Sequence, residues 1–237
     1  MTYKNKSILA IVPARSGSKG IPKKNIATLN GIPLLGYAGI LLKQLDFVDY
    51  SLLSTDSASF AEIGSSFGLN TPFLRPQSLS EDDSLSIDVW RHGWIEAERI
   101  TGKVYDICIY LEPTSPFRKS EDVCNALELL TSIEIDSVVT VSKNPAHFTP
   151  EKTMQIDNIG LLKQYVQSSV DFSIRQKIPS YYHRNGICYA AKRTAILDEM
   201  QIIGAKTYAL VIDRNVVNID EPMDMLWAEF LMANSKR

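Results

Sequence analysis

The residues best suited to chemistry come early, in the run Pro13-Ala14-Arg15-Ser16-Gly17-Ser18-Lys19-Gly20-Ile21-Pro22-Lys23-Lys24-Asn25. A Gly- and Ser-rich turn directly after an apolar strand can aim backbone N–H groups at phosphate oxygens. Arg15, Lys19, Lys23 and Lys24 add four cations within ten residues, the kind of charge a triphosphate requires. Gly17 and Gly20 fit neither GxGxxG nor GxxxxGK[ST], so the dinucleotide and kinase-like readings lose support. On spacing alone the run is either a phosphate cradle or a solvated basic turn.

A cradle of this kind works only if a sheet edge holds it in place. Short apolar runs at 8–12, 50–53 and 107–111 each precede an amphipathic stretch, at 34–45, 59–67 and 123–130, which is a repeated strand–helix rhythm. Further strands are expected at 137–141, 186–191 and 208–212, with a closing helix over 222–233. Apolar strands without alternation imply burial on both faces, so the expected class is α/β, a doubly wound, mostly parallel sheet covered by helices. The whole chain, 1–237, reads as a single domain. Residues 144–182 break the rhythm with Pro145, Pro150, Asp157-Asn158 and Pro179, and read as an inserted flap that carries function or an interface.

Composition narrows the partners. Twenty-five Lys and Arg stand against 27 Asp and Glu, a formal net charge of −2, which offers no bulk field for nucleic acid or an anionic membrane. An anionic ligand must therefore be held by a local cluster. Cys108, Cys124 and Cys188 make neither an even set nor a CxxC pair, so a disulfide framework or zinc site is not expected and a cytoplasmic location is. The first apolar run is too short for a secretory signal, and no run approaches the ~18–20 apolar residues of a membrane span.

Beyond this point the motifs resemble a known family. Ile11-Val12-Pro13-Ala14-Arg15 through Lys24-Asn25, continuing into Asn30-Gly31-Ile32-Pro33-Leu34-Leu35, resembles the opening of the CMP-sialic acid synthetases. In order follow Ser54-Thr55-Asp56, Leu74-Arg75-Pro76, Pro113-Thr114-Ser115-Pro116 with Arg118, Arg175-Gln176, Pro179, Tyr182, Asn185-Gly186, Tyr189, and Ile219-Asp220 with Asp224. The resemblance implies a Rossmann-like nucleotidyltransferase fold with a small dimerisation subdomain, which would be residues 144–182, and hence a homodimer. It also implies a reaction joining CTP to the anomeric hydroxyl of a sialic-acid-like keto-deoxy sugar acid, with release of pyrophosphate. By position, Arg15, Gly17, Lys19, Lys24 and Asn25 would hold the nucleotide, helped by Arg75 and Ser86. Arg15, Lys24 and Asp220 would carry catalysis. Arg175, Gln176, Asn185 and Tyr189 would lie near the sugar.

Such a reaction brings like charges together, so catalysis is chiefly positioning plus electrostatic stabilisation. The resemblance implies Mg2+, with Mn2+ as a possible substitute, and a hard cation of this kind takes one or two carboxylates with phosphates and water. Asp220 is the expected ligand. Asn218 stands where relatives of this type often carry Asp; its amide oxygen can ligate but brings no charge. Glu112 stands where they commonly carry Gln. It would either supply a second carboxylate opposite Asp220 or read the acceptor, favouring a legionaminic-type acid. An eight-carbon keto-deoxy acid is disfavoured by the Ser-Lys-Gly and Lys-Asn signature. The replacement at Asn218 also raises a different possibility, a catalytically silent nucleotide-sugar binding protein.

Other residues have plain structural readings. His92, His147 and His183 lack metal spacing. Trp90, Trp94 and Trp227 are expected in the core, and Cys188 in a buried strand. Glu81, Asp82 and Asp83 read as an acidic helix start. Asp56 either faces the ligand crevice or caps the following helix.

Overall fold

The computed structural model describes residues 3–166 and 178–234. Among the described residues ten strands occur in chain order: β1 (Ile8–Pro13), β2 (Thr28–Leu29), β3 (Ile32–Pro33), β4 (Tyr50–Ser54), β5 (Ile107–Tyr110), β6 (Ser137–Lys143), β7 (Met154–Ile156), β8 (Leu162–Gln164), β9 (Tyr182–Lys192) and β10 (Thr207–Val211). The main sheet has the order β10-β6-β9-β5-β1-β4. Pairs β1–β4, β1–β5 and β6–β10 are parallel, whereas β9 runs antiparallel between β5 and β6. The sheet is thus mostly parallel, as its unbroken apolar strands predict.

Helices α1 (Leu34–Leu42), α2 (Ala58–Ser66), α3 (Ser86–Thr101), α4 (Ser120–Ser132) and α5 (Arg193–Leu197) cover the two faces, and α6 (Pro222–Asn234) packs beside them on Leu29 of β2 and on Val217 and Ile219. Period-two alternation sorts the side chains of each strand between the two layers. Ile8, Ala10 and Val12 of β1 join a core with residues of α1 and α4, while Leu9 and Ile11 face Trp90, Trp94 and Ala97 of α3. Trp90 and Trp94 are fully buried, and truncating such a side chain to Ala costs about 3–5 kcal/mol. Cys188 is buried in β9, and all three cysteines are free thiols.

Three elements depart from the sequence reading. Inside 144–182, where the strand–helix rhythm breaks, Met154–Ile156 and Leu162–Gln164 pair as the antiparallel hairpin β7–β8. It lies in sequence between β6 and β9, and its Ile156 and Leu162, with Tyr165 just after it, are exposed. Trp227 is not in the core. It lies on the outer side of α6, stacked on Phe230 at 5.2 Å, because Ala228 and its neighbours supply the inward face. Residues 81–83 are not a helix start either: α3 begins at Ser86, and its first-turn acid is Asp88.

Candidate active site

β1, β4, β5 and β6 all end at one edge of the sheet, and antiparallel β9 begins there. Ligands of open parallel sheets bind outside this edge. A cleft of ≈ 380 Å3 opens at it, lined by Arg15, Lys24, Asn25, Arg75, Ser86, Glu112, Asn218 and Asp220, with Pro13, Tyr110 and Thr114 among their neighbours. An adjoining hollow of ≈ 290 Å3 adds Gly17, Lys19 and Gly20. The structure therefore brings together most residues that sequence reasoning scattered over 200 positions.

The loop after β1 is held by its own polar groups. The Ser18 hydroxyl donates to the Ile21 carbonyl (2.5 Å) and accepts from the Lys24 N–H (3.0 Å). The Asn25 side-chain amide donates to the Arg15 carbonyl (3.0 Å) and is buried. Lys23 adopts left-handed backbone, φ 51°, a conformation that costs a non-glycine residue about 1–2 kcal/mol. Gly20 packs against the Asp220 carbonyl so closely that any Cβ there would collide.

Asp220 reaches this loop from the far end of the chain. The Ile219 N–H donates to the Thr114 carbonyl (2.8 Å), docking the segment on the 113–116 turn. One Asp224 oxygen accepts the N–H groups of Asp220 (2.9 Å) and Glu221 (2.8 Å), tying the two residues that lead into α6 to its first turn. The Asp220 carboxylate then pairs with Lys24 Nζ at 2.7 Å. Its side chain stays largely exposed to the cleft.

A second acid meets the loop from above. The Asp82 carboxylate bridges Arg15 (2.9 Å) and Lys19 (2.7 Å), one oxygen to each. Arg15 also donates to the Glu81 carbonyl (2.8 Å). Hydrogen bonding from Lys19 and the charge of both cations hold the Asp82 carboxyl below its ordinary range. Sequence reasoning missed this contact, because an acid 67 positions from Arg15 carries no local signal. Arg75 is buried, with its Nε donating to the Ser80 hydroxyl (3.1 Å).

Glu112 sits at the end of β5, and burial raises its carboxyl above the usual range. Arg118 and Arg184 oppose that rise, Asp220 adds to it, and a hydrogen bond with Tyr189 opposes it. Gly186, with φ +69°, is the neighbour that leaves room, since a Cβ there would strike the Glu112 carboxylate and the Ser115 hydroxyl. Arg118, buried, donates to the carbonyls of Glu112 (2.9 Å) and Gly186 (3.0 Å) and also to that of Ile187. It staples β9 to the site's floor.

Two of the expected sugar-side residues are not on the cleft wall. Asn185 is buried, with its amide donating to the Ser142 hydroxyl (3.0 Å) and its oxygen accepting the Ile187 N–H (3.2 Å). Its hydrogen-bonding capacity serves the start of β9. Tyr189 is buried beneath the cleft, against Glu112 and Tyr110, both of which line it. Arg175 and Gln176 lie outside the described residues. His183 bonds Asn144 (2.6 Å), and Asp56 bonds the loop, while Ser57 caps α2 in its stead.

Among the described residues no cluster of three or more His, Cys, Asp or Glu could hold a metal by protein ligands alone. The oxygens that share the cleft, the Asp220 carboxylate, the Asn218 amide and the Glu112 carboxylate, fit a cation that takes one or two protein carboxylates and fills its remaining positions from phosphate and water.

A mostly parallel α/β sheet whose strand ends present a cationic loop opposite an acid is the frame of a nucleotide-transferring enzyme. The sequence model for cytidylyltransferases matches residues 9–221, and the chain belongs to that family. It is 30% identical to a CMP-N,N'-diacetyllegionaminic acid synthase of Legionella pneumophila over 95% of this chain and 96% of the relative. It is also 30% identical to an N-acylneuraminate cytidylyltransferase of Escherichia coli, over 92% of this chain and 50% of that longer protein. In fold it is similar to a solved CMP-2-keto-3-deoxy-manno-octonic acid synthetase complexed with CTP, with TM-score 0.68, 17% identity, and coverage of 97% of this chain and 99% of that one.

Proposed function

We propose that this nucleotidyltransferase moves the CMP unit of CTP onto a sialic- or legionaminic-type keto-deoxy sugar acid. The anomeric oxygen of the acceptor bonds to the α-phosphorus, the bond to the β-phosphate oxygen breaks, and pyrophosphate departs while the hydroxyl proton passes to solvent. The observation that carries this reading is the meeting of Lys24 and Asp220 at 2.7 Å beside the loop of Arg15 and Lys19.

Arg15, Lys19 and Lys24 would take the triphosphate, with Gly17 and Asn25 shaping the loop and Arg75 and Ser86 on the nucleoside side. Arg15 and Lys24 offer fixed charge where negative charge builds up on the leaving group. Asp220, with Asn218 and Glu112 beside it, would hold Mg2+, which supplies charge neutralisation to the phosphates when bound. Mn2+ has the same oxygen preference. Arg175, Gln176 and Glu112 would face the acceptor. The acceptor class is supported by the names of the two relatives above, one a legionaminic and one an acylneuraminate enzyme.

A cytoplasmic homodimer is part of the same reading. The exposed apolar side chains of the 144–182 arm, Phe148, Ile156, Leu162 and Tyr165 among them, support a second copy as their cover. The test is pyrophosphate release from CTP with Mg2+ and a panel of keto-deoxy sugar acids. Turnover with N-acetylneuraminate or N,N'-diacetyllegionaminate is expected. CTP binding without turnover of any acceptor would favour instead the silent binding protein that Asn218 suggests.

A further inference from the structure

The hydrogen bonds around Ser16 give Asp56 a task that the reaction reading does not use. β1 and β4 stay zipped one residue past the strand, through Ala14 N–H to the Ser54 carbonyl (2.9 Å). Asp56 then takes over from the backbone. Its Oδ1 accepts the Ser16 N–H (2.7 Å) and its Oδ2 accepts the Ser16 hydroxyl (2.6 Å). Both oxygens thus hold one residue, an arrangement that removes two rotations at once, and bonds to a charged acceptor are the stronger kind. Helix α2 makes no demand on this carboxylate, because the Ser57 hydroxyl accepts the Phe60 N–H.

Arg15 lies between the two pinned residues, Ala14 and Ser16. Its carbonyl is taken by Asn25 (3.0 Å), so its backbone is held before and after the Cα, and its guanidinium projects into the cleft beside Asp82. Asp56 also lies in the field of Arg75, where its attraction opposes the repulsion from Arg15. Asp56 thus adds negative charge near both arginines, beside Asp82, which pairs with Arg15 directly.

We propose that Asp56 is a positioning residue: through Ser16 it fixes the backbone that carries Arg15, so that the loop meets the triphosphate already oriented. Preorganisation of this kind is where much of the binding and rate advantage of a phosphate site resides. The role rests on reading residues 13–25 as the triphosphate cradle.

The test is calorimetric titration of the full chain with CTP and with CMP, both in Mg2+, for the wild type, Asp56→Ala, Asp56→Asn, Ser16→Ala and the Ser16→Ala/Asp56→Ala double variant. Asp56→Ala should weaken CTP about 30-fold and CMP less than about threefold, because the loop serves the β- and γ-phosphates. Asp56→Asn should stay within about fivefold of wild type, since its oxygen still accepts the Ser16 N–H and its amide can donate to the hydroxyl. Ser16→Ala should cost about fivefold alone and nothing further on top of Asp56→Ala. Equal weakening of CTP and CMP, or additive losses in the double variant, would overturn the role while leaving the cradle intact. A wild type that binds neither CTP nor tripolyphosphate would remove the cradle and the role together. Should Asp56→Ala fail to fold, Ser16→Ala decides: a selective loss of CTP at unchanged melting temperature supports the role, and wild-type affinity overturns it.

Discussion

The loop rim and the 144–182 arm are built on opposite principles. On the rim, polar groups find partners within the same chain: Arg15 and Lys19 on Asp82, Lys24 on Asp220, Ser16 on Asp56 and Asp220's backbone on Asp224. On the arm, hydrogen bonds close a small hairpin, but Ile156 and Leu162 remain largely exposed. A two-stranded hairpin alone is marginally stable in water. Charge on the rim is balanced by partners on the chain itself, whereas Ile156 and Leu162 keep apolar surface in contact with solvent.

The sharpest test of the rim is to remove either half of its central pair. Lys24→Ala and Asp220→Asn should each lower kcat/KM by about 10²–10³-fold with little change in melting temperature, as the pair is partly exposed. A loss below fivefold would mean that the rim's pairing is ordinary surface chemistry. For the arm, Ile156→Asp with Leu162→Asp should weaken self-association at least tenfold, read by sedimentation, because two charges would have to be desolvated in any apolar contact. A chain that sediments identically before and after would dissolve the contrast.

Two smaller effects grade the rim itself. Glu112 is raised by burial, so the folded state binds its proton more tightly than the unfolded chain, and stability falls as pH climbs from about 4.5 through the raised value. Glu112→Gln, in EDTA, should therefore melt a few degrees above wild type at pH 8, with the gap closing toward pH 4. A gap independent of pH would show that the carboxylate is not confined. Smallest is Asp82→Asn. Asp82 occupies cations that the triphosphate would claim, so the variant should bind CTP about threefold more tightly, the scale of an exposed ion pair, with the gain shrinking in 0.5 M salt. Asp83→Asn, exposed on the same loop, should match wild type. Weaker CTP binding by Asp82→Asn would make the carboxylate a support for the loop and not a competitor of the ligand.

The sheet was legible because its signal is local. Unbroken apolar runs mark β1, β4 and β5 wherever they occur, and the loop after β1 shows its charge in ten consecutive residues. The antiparallel direction of β9 was not legible, since an apolar run carries no arrow. Nor was the exposure of Trp227: a tryptophan in a helix reads as core until the packed face of that helix is known. Asn185 looked like a substrate contact by position, yet its amide donates to Ser142 on neighbouring β6 and its oxygen accepts from Ile187 along its own strand.

By itself, then, the chain's order of residues determined an α/β sheet and a basic loop at a strand end, since each depends on neighbours a few positions away, while Asp220 stood out only through the family resemblance. Tertiary structure alone decided which acid meets which cation. Lys24 and Asp220 are 196 positions apart, and Arg15 meets Asp82 only because the turn before α3 folds over the loop. Charge pairing depends on distance in space, which the fold sets and sequence separation does not.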